Sequence, residues 1–141
     1  MASVNNRKQP KSADWRNLPI DSWNCTTFTA MLTELTADHF GVDYAPGGGG
    51  SKSQRWAREK GMLKQAQQRY GNAILRRFIE MCVEEYRPNS DYPFPTFAFM
   101  YSYMDRNFAR AQAEIAAAER QAQAEDNARQ AASSGDMLDY L

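Results

Sequence analysis

Between Ile74 and Tyr86, seven apolar side chains recur at intervals of three and four residues: Ile74, Leu75, Phe78, Ile79, Cys82, Val83 and Tyr86. That spacing is helical, and the stripe it draws is too wide for a single neighbour to cover. A helix with such a stripe has to sit at the centre of a core, with other elements packed around it. This segment restricts the fold more than any other.

The rest of the chain supplies helices to surround it. A first helix is expected from about Asp21 or Ser22 to Phe40, with Phe28, Met31, Leu32 and Leu35 at helical spacing and Gly41 as its stop. Its threonines lower the propensity, so packing has to hold it. Residues 45–50, Ala-Pro-Gly-Gly-Gly-Gly, break any regular element and read as a flexible hinge. A second helix follows, capped by Ser51 or Ser53 and running toward Tyr70 with Trp56, Leu63, Ala66 and Tyr70 on one side. Gly61 inside it marks a kink or a close approach. Gly71-Asn72 separates that helix from the central one. Residues 87–95 hold three prolines in nine positions and cannot be helical. Thr96 then caps a fourth helix lined by Phe97, Met100, Tyr101, Met104, Phe108, Ala111 and Ile115. Past Ile115 the pattern turns to Ala, Gln, Glu and Arg without a sticky face, which describes a protruding, solvated helix stopped by Ser133-Ser134-Gly135.

Charge is balanced overall, with 17 basic and 17 acidic side chains, but it is not spread evenly. Residues 51–78 carry Lys52, Arg55, Arg58, Lys60, Lys64, Arg69, Arg76 and Arg77 against Glu59 alone, a net +7. Residues 79–141 carry a net −6. A basic segment of this kind is a footprint for a polyanion or for an acidic protein surface, or else a solvated face balanced by its neighbours. Trp56, among the first cations, has the ring to stack on an unpaired base. It also shares a heptad spacing with Leu63 and Tyr70, which favours a core role. Phe99 and Tyr103 lie off the main stripe of their helix and, with Tyr92 and Phe94, are candidates for a contact with a second copy.

Signs of catalysis are weak. The glycines before Lys52-Ser53 look superficially like a phosphate-binding loop. That motif needs glycine directly before the lysine and another five residues earlier, and those positions are Ser51 and Pro46. His39 is the only histidine, with no ligand partner at a suitable spacing, and suits a helix C-terminus. Glu84-Glu85 and Glu125-Asp126 are adjacent pairs that point about 100° apart on a helix. Nothing assembles a nucleophile, a base and an oxyanion stabiliser, so no enzyme and no cofactor or metal are expected. Cys25 and Cys82 have no spacing motif and read as buried thiols of a reducing compartment.

Residues 136–141, Asp-Met-Leu-Asp-Tyr-Leu, place Met137, Leu138, Tyr140 and Leu141 after a long solvated stretch with no local core to join. They read as a partner-binding hook, or as a tail that folds back on the domain. The segment resembles the short peptides by which bacterial replication proteins hold the sliding clamp, without their glutamine. It also resembles the acidic-apolar tails of single-strand-binding proteins. A broader resemblance rests on Leu63-Lys64 through Tyr70-Gly71, on the Phe78-Ile79 helix, and on Tyr92-Pro93-Phe94-Pro95-Thr96-Phe97, together about half of the chain. These stretches resemble small DNA-replication accessory proteins of tailed bacteriophages, of the replisome-organiser or helicase-loader type. The resemblance implies a helical, non-enzymatic adaptor that bridges DNA or a helicase to other replication factors.

The resulting expectation is an all-α protein. A flexible basic arm (1–19), with Trp15 and Leu18 as candidate anchor points on the domain, leads into a four-helix domain (20–115), followed by a solvated helix or linker (116–135) and an acidic-apolar tail (136–141). The eight cations of residues 52–77 would bind DNA, including single strands. The tail would hold a replication protein such as a helicase or sliding clamp. The alternative is a pure protein-interaction module, such as a regulator of host RNA polymerase or a virion assembly factor. Residues 1–20 lack a continuous apolar stretch, and the longest apolar run, Phe97 to Tyr101, cannot span a bilayer. The expected location is the cytoplasm, that of the host for a phage-encoded chain.

Overall fold

A computed structural model describes residues 10–139. Among them are five α-helices and no strand: α1 (Cys25–Phe40), α2 (Lys52–Tyr70), α3 (Asn72–Glu85), α4 (Phe97–Tyr103) and α5 (Arg106–Asp139), with a single 3-10 turn at Ile20–Ser22 before α1. The protein is all-α. No helix among the described residues is long and apolar enough to cross a membrane.

The centre is α3, which touches every other element. Leu75, Phe78, Ile79, Met81, Cys82 and Val83 are buried along it, as the wide stripe requires. Phe28, Met31 and Leu32 of α1 and Leu63 and Ala66 of α2 close the core from one side. Phe97 and Met100 of α4 and Phe108 of α5 close it from the other. Phe108 stacks against both Tyr70 and Phe78, with ring centroids 4.0 and 3.6 Å away.

Helix ends follow their caps. The start of α1 lies at Asn24 rather than at Asp21 or Ser22. Asn24 and Thr27 satisfy each other's backbone N–H groups in a capping box, leaving Ile20–Ser22 as the separate turn. Gly41 closes α1 at φ 69°, a left-handed conformation that glycine adopts without penalty. At α2 the cap is Ser51, in a second box with Gln54. Gly61 sits in an unbroken helix, and a Cβ there would meet nothing, so it marks no close approach.

Three further expectations are refined. The fourth helix is two, α4 and α5, divided at Met104-Asp105, which raises the count from four to five. No proline causes the break. It lets Phe97 and Met100 face the core from one direction and Phe108 and Ala111 lie along α3 from another, with Asn107 buried at the joint. Second, the described part of the arm is anchored where Trp15 and Leu18 suggest. Trp15 and Leu18 are buried, Trp15 Nε1 donates to Glu34 at 2.7 Å, and Trp23 Nε1 donates to the Leu18 carbonyl at 2.9 Å. Residues 1–9 lie outside the described residues. Third, α5 continues through Ser133, Ser134 and Gly135 to Asp139. Met137 and Leu138 therefore belong to a helix, while Tyr140 and Leu141 lie outside the described residues.

Candidate nucleic-acid interface

The structure sorts the eight basic residues into two groups. Arg76 and Arg77 belong to α3 and are neutralised there. Arg76 pairs with Glu80 at 3.4 Å and lies over the Trp23 ring. Arg77 reaches Glu80, Glu84 and Glu114, at 3.2, 3.8 and 2.8 Å. The hydrogen bond to Glu114 is the main reason its guanidinium is held above its usual range. Arg77 ties α3 to α5, Arg76 is paired along α3, and both offer little to an outside anion.

Lys52, Arg55, Arg58, Lys60, Lys64 and Arg69 are all on α2, and among the described residues none has a carboxylate partner. Two of them are nonetheless held in place. Arg55 donates to the Gly50 carbonyl at 2.7 Å and Arg58 to the Gly49 carbonyl at 2.6 Å. A neutral carbonyl orients a guanidinium without cancelling its charge, and most of its five N–H donors remain available. The glycine segment is accordingly not a free hinge. It is clasped from α2, and Gly48 at φ 93° leaves room for the Arg58 guanidinium, which a Cβ would approach to 3.1 Å.

The only carboxylate of α2 does not offset this charge from outside. Glu59 faces inward at 1% exposure. Its Oε1 accepts from the Tyr44 hydroxyl at 2.6 Å, and Tyr44 in turn accepts the Phe97 N–H at 2.8 Å. Oε2 has no partner among the described residues. Burial pushes the carboxyl up to about 6, and burial together with Glu59 pushes the Tyr44 hydroxyl well above its usual value. This chain of three joins α2, the 41–51 connection and α4. Sequence reading missed it, because an acid among eight cations looks like a solvated ion-pair partner.

Concave surfaces flank α2 on both sides. Toward α1, a cleft of about 420 Å³ is lined by Cys25, Thr26, Thr29, Trp56, Ala57 and Lys60, and it adjoins one of about 350 Å³ that reaches Asn24, Lys64 and Gln67. Trp56 is half-buried, belongs to the core periphery and lies 6.1 Å from Tyr44, so its ring is not an open platform. Cys25 is half-exposed in this cleft rather than buried, whereas Cys82 is buried, and both are free thiols. Burial pushes the Cys82 thiol up to about 12. Toward α4, a cleft of about 300 Å³ lies beneath the glycine segment, with Arg55, Arg58 and Glu59 in its wall. Among the described residues no three His, Cys, Asp or Glu side chains stand together as metal ligands would.

No family model matches this chain, and no match to it is found among curated proteins or solved structures.

Proposed function

We propose that the chain is a non-enzymatic nucleic-acid-binding accessory protein that uses α2 as its contact, in the manner its resemblance to phage replication proteins implies. One observation carries the reading: six cations on a single helix have no carboxylate partner among the described residues, and the lone acid of that helix is turned into the core. Unneutralised Lys and Arg on both flanks of α2 gain free energy from a polyanion by releasing its counterions. Arg55 and Arg58 are already oriented, so less side-chain freedom is lost when they meet a phosphate. Lys60 and Lys64, one helical turn apart, flank the cleft beside the first turn of α1. A helicase or sliding clamp is the partner that Met137, Leu138, Tyr140 and Leu141 would hold in this reading.

Titration of labelled single- and double-stranded DNA, followed by fluorescence anisotropy at several salt concentrations, tests it. Wild-type affinity should fall steeply with salt. Replacing Lys60 and Lys64 by Ala should weaken binding and flatten the salt dependence by about 0.7 in log–log slope for each phosphate of a single strand that is no longer neutralised. Absence of binding at low salt would transfer the cations of α2 to an acidic protein partner.

A further inference from the structure

Among the described residues three large hydrophobic side chains are exposed: Tyr92 at 69%, Tyr103 at 71% and Phe99 at 39%. They form one surface. Tyr103 and Phe99 are 5.1 Å apart between centroids, and Phe99 meets Tyr86 edge-on at 5.6 Å. Tyr86 donates its hydroxyl to the Tyr92 carbonyl at 2.7 Å. A pocket of about 200 Å³ lies between Tyr86, Tyr92, Phe94 and Phe99. Gly47 and Thr96 line both this pocket and the cleft that holds Arg55 and Arg58, so the aromatic surface and the oriented guanidiniums adjoin.

We propose that Tyr92, Phe99 and Tyr103 are a stacking platform for unpaired bases, with the attached backbone crossing the glycine segment onto Arg55 and Arg58. This rests on the reading of α2 as a nucleic-acid contact and narrows its ligand to single strands. An aromatic face beside cations without carboxylate partners is how sequence-tolerant single-strand binding is built, since every base has a π-face and every nucleotide a phosphate. A duplex keeps its base faces stacked inside and has little to offer the platform. Exposed Arg87, beside Tyr86 and without a carboxylate partner among the described residues, adds a cation on this side. Asp91 and Asp105 stand next to the platform in sequence and disfavour phosphate there, which sets the direction of the backbone toward Arg55 and Arg58. Tyrosine suits the task, because its hydroxyl remains hydrated when no ligand covers the ring.

The test uses the full chain and its Tyr92→Ala/Tyr103→Ala variant, with circular dichroism to verify the fold. Three labelled probes of equal length are compared: a mixed-sequence single strand, an abasic single strand and a duplex. The variant should bind the mixed single strand about tenfold more weakly for each ring that stacks. Abasic-strand and duplex affinities, and the salt slope, should be unchanged. Tyr92→Phe/Tyr103→Phe should keep wild-type affinity. Equal affinity of wild type and the alanine variant for the mixed strand would overturn the platform while leaving the cationic reading intact. Abasic and mixed strands bound equally well by wild type would do the same. If the alanine pair instead alters sedimentation with no change in single-strand affinity, the surface joins a second copy and the proposal fails. No binding of any probe by wild type at low salt removes the reading of α2 and the platform with it.

Discussion

Glu59 shows how much a single side chain's direction decides. On α2 it is flanked by Arg58 and Lys60, yet it points away from both into the core, where Tyr44 is its hydrogen-bond donor. The folded chain holds its proton more tightly than the unfolded chain does, so between about pH 4.5 and about pH 6 the native state binds more protons. Stability should therefore fall as pH rises through that window, by about 2 kcal/mol in total, and stay at the lower level above it. Urea unfolding of wild type and Glu59→Gln between pH 4.5 and 8 checks this. The wild-type curve should decline and the glutamine curve should lack that component, and parallel curves would rule it out. Arg55 and Arg58 illustrate the opposite case. Sequence places them correctly in the basic segment, but their bonds to Gly50 and Gly49 make their replacement a change in loop structure as well as in charge. Lys60 and Lys64 are the cleaner probes of electrostatics.

At the scale of elements, the helices announce themselves through caps and periodicity. Ser51, Thr96 and Gly41 do in three dimensions what their positions suggest. The α4–α5 break does not show in the sequence, because a helical pattern runs straight through Met104-Asp105 and only packing against α3 makes two directions better than one. Beyond Ala116 the described side chains of α5 are exposed apart from a half-buried Asp126, and their hydrogen bonds stay within the helix. Removing residues 121–141 should then lower the helical circular dichroism signal while changing unfolding free energy by no more than about 0.5 kcal/mol. A larger loss would mean that this stretch packs on the domain.

The whole molecule is a core assembled around α3, with Phe78 and Phe108 at its centre. Deleting the Phe108 ring removes its packing against Tyr70, Phe78 and Tyr101 together. Phe108→Ala is expected to cost about 3–5 kcal/mol. Against a total of about 5–15 kcal/mol for a domain, that brings the protein close to unfolding on mild heating, and a thermal melt would show it. The charge layout also becomes clear only at this scale. Arg76 and Arg77 meet Glu80 and Glu84 along α3, and Arg77 also reaches Glu114 across the α3–α5 contact, so part of the segment's +7 serves to hold the fold and the remainder is concentrated on α2.

Sequence alone determined the all-α class, the central place of residues 74–86, most helix limits and the concentration of positive charge, because these depend on local propensity and on a periodicity that neighbours along the chain already express. Tertiary structure decided which cations are neutralised, that Glu59 is buried, that the glycine segment is clasped, and that Tyr92, Phe99 and Tyr103 share an exposed surface beside Arg55 and Arg58. Most of those depend on contacts between residues far apart in sequence, such as Arg77 with Glu114 and Tyr44 with Phe97, while the glycine clasp spans only five and nine residues. No local pattern carries that information, since a side chain's charge and shape are visible in the sequence but its partner is chosen only when the helices pack.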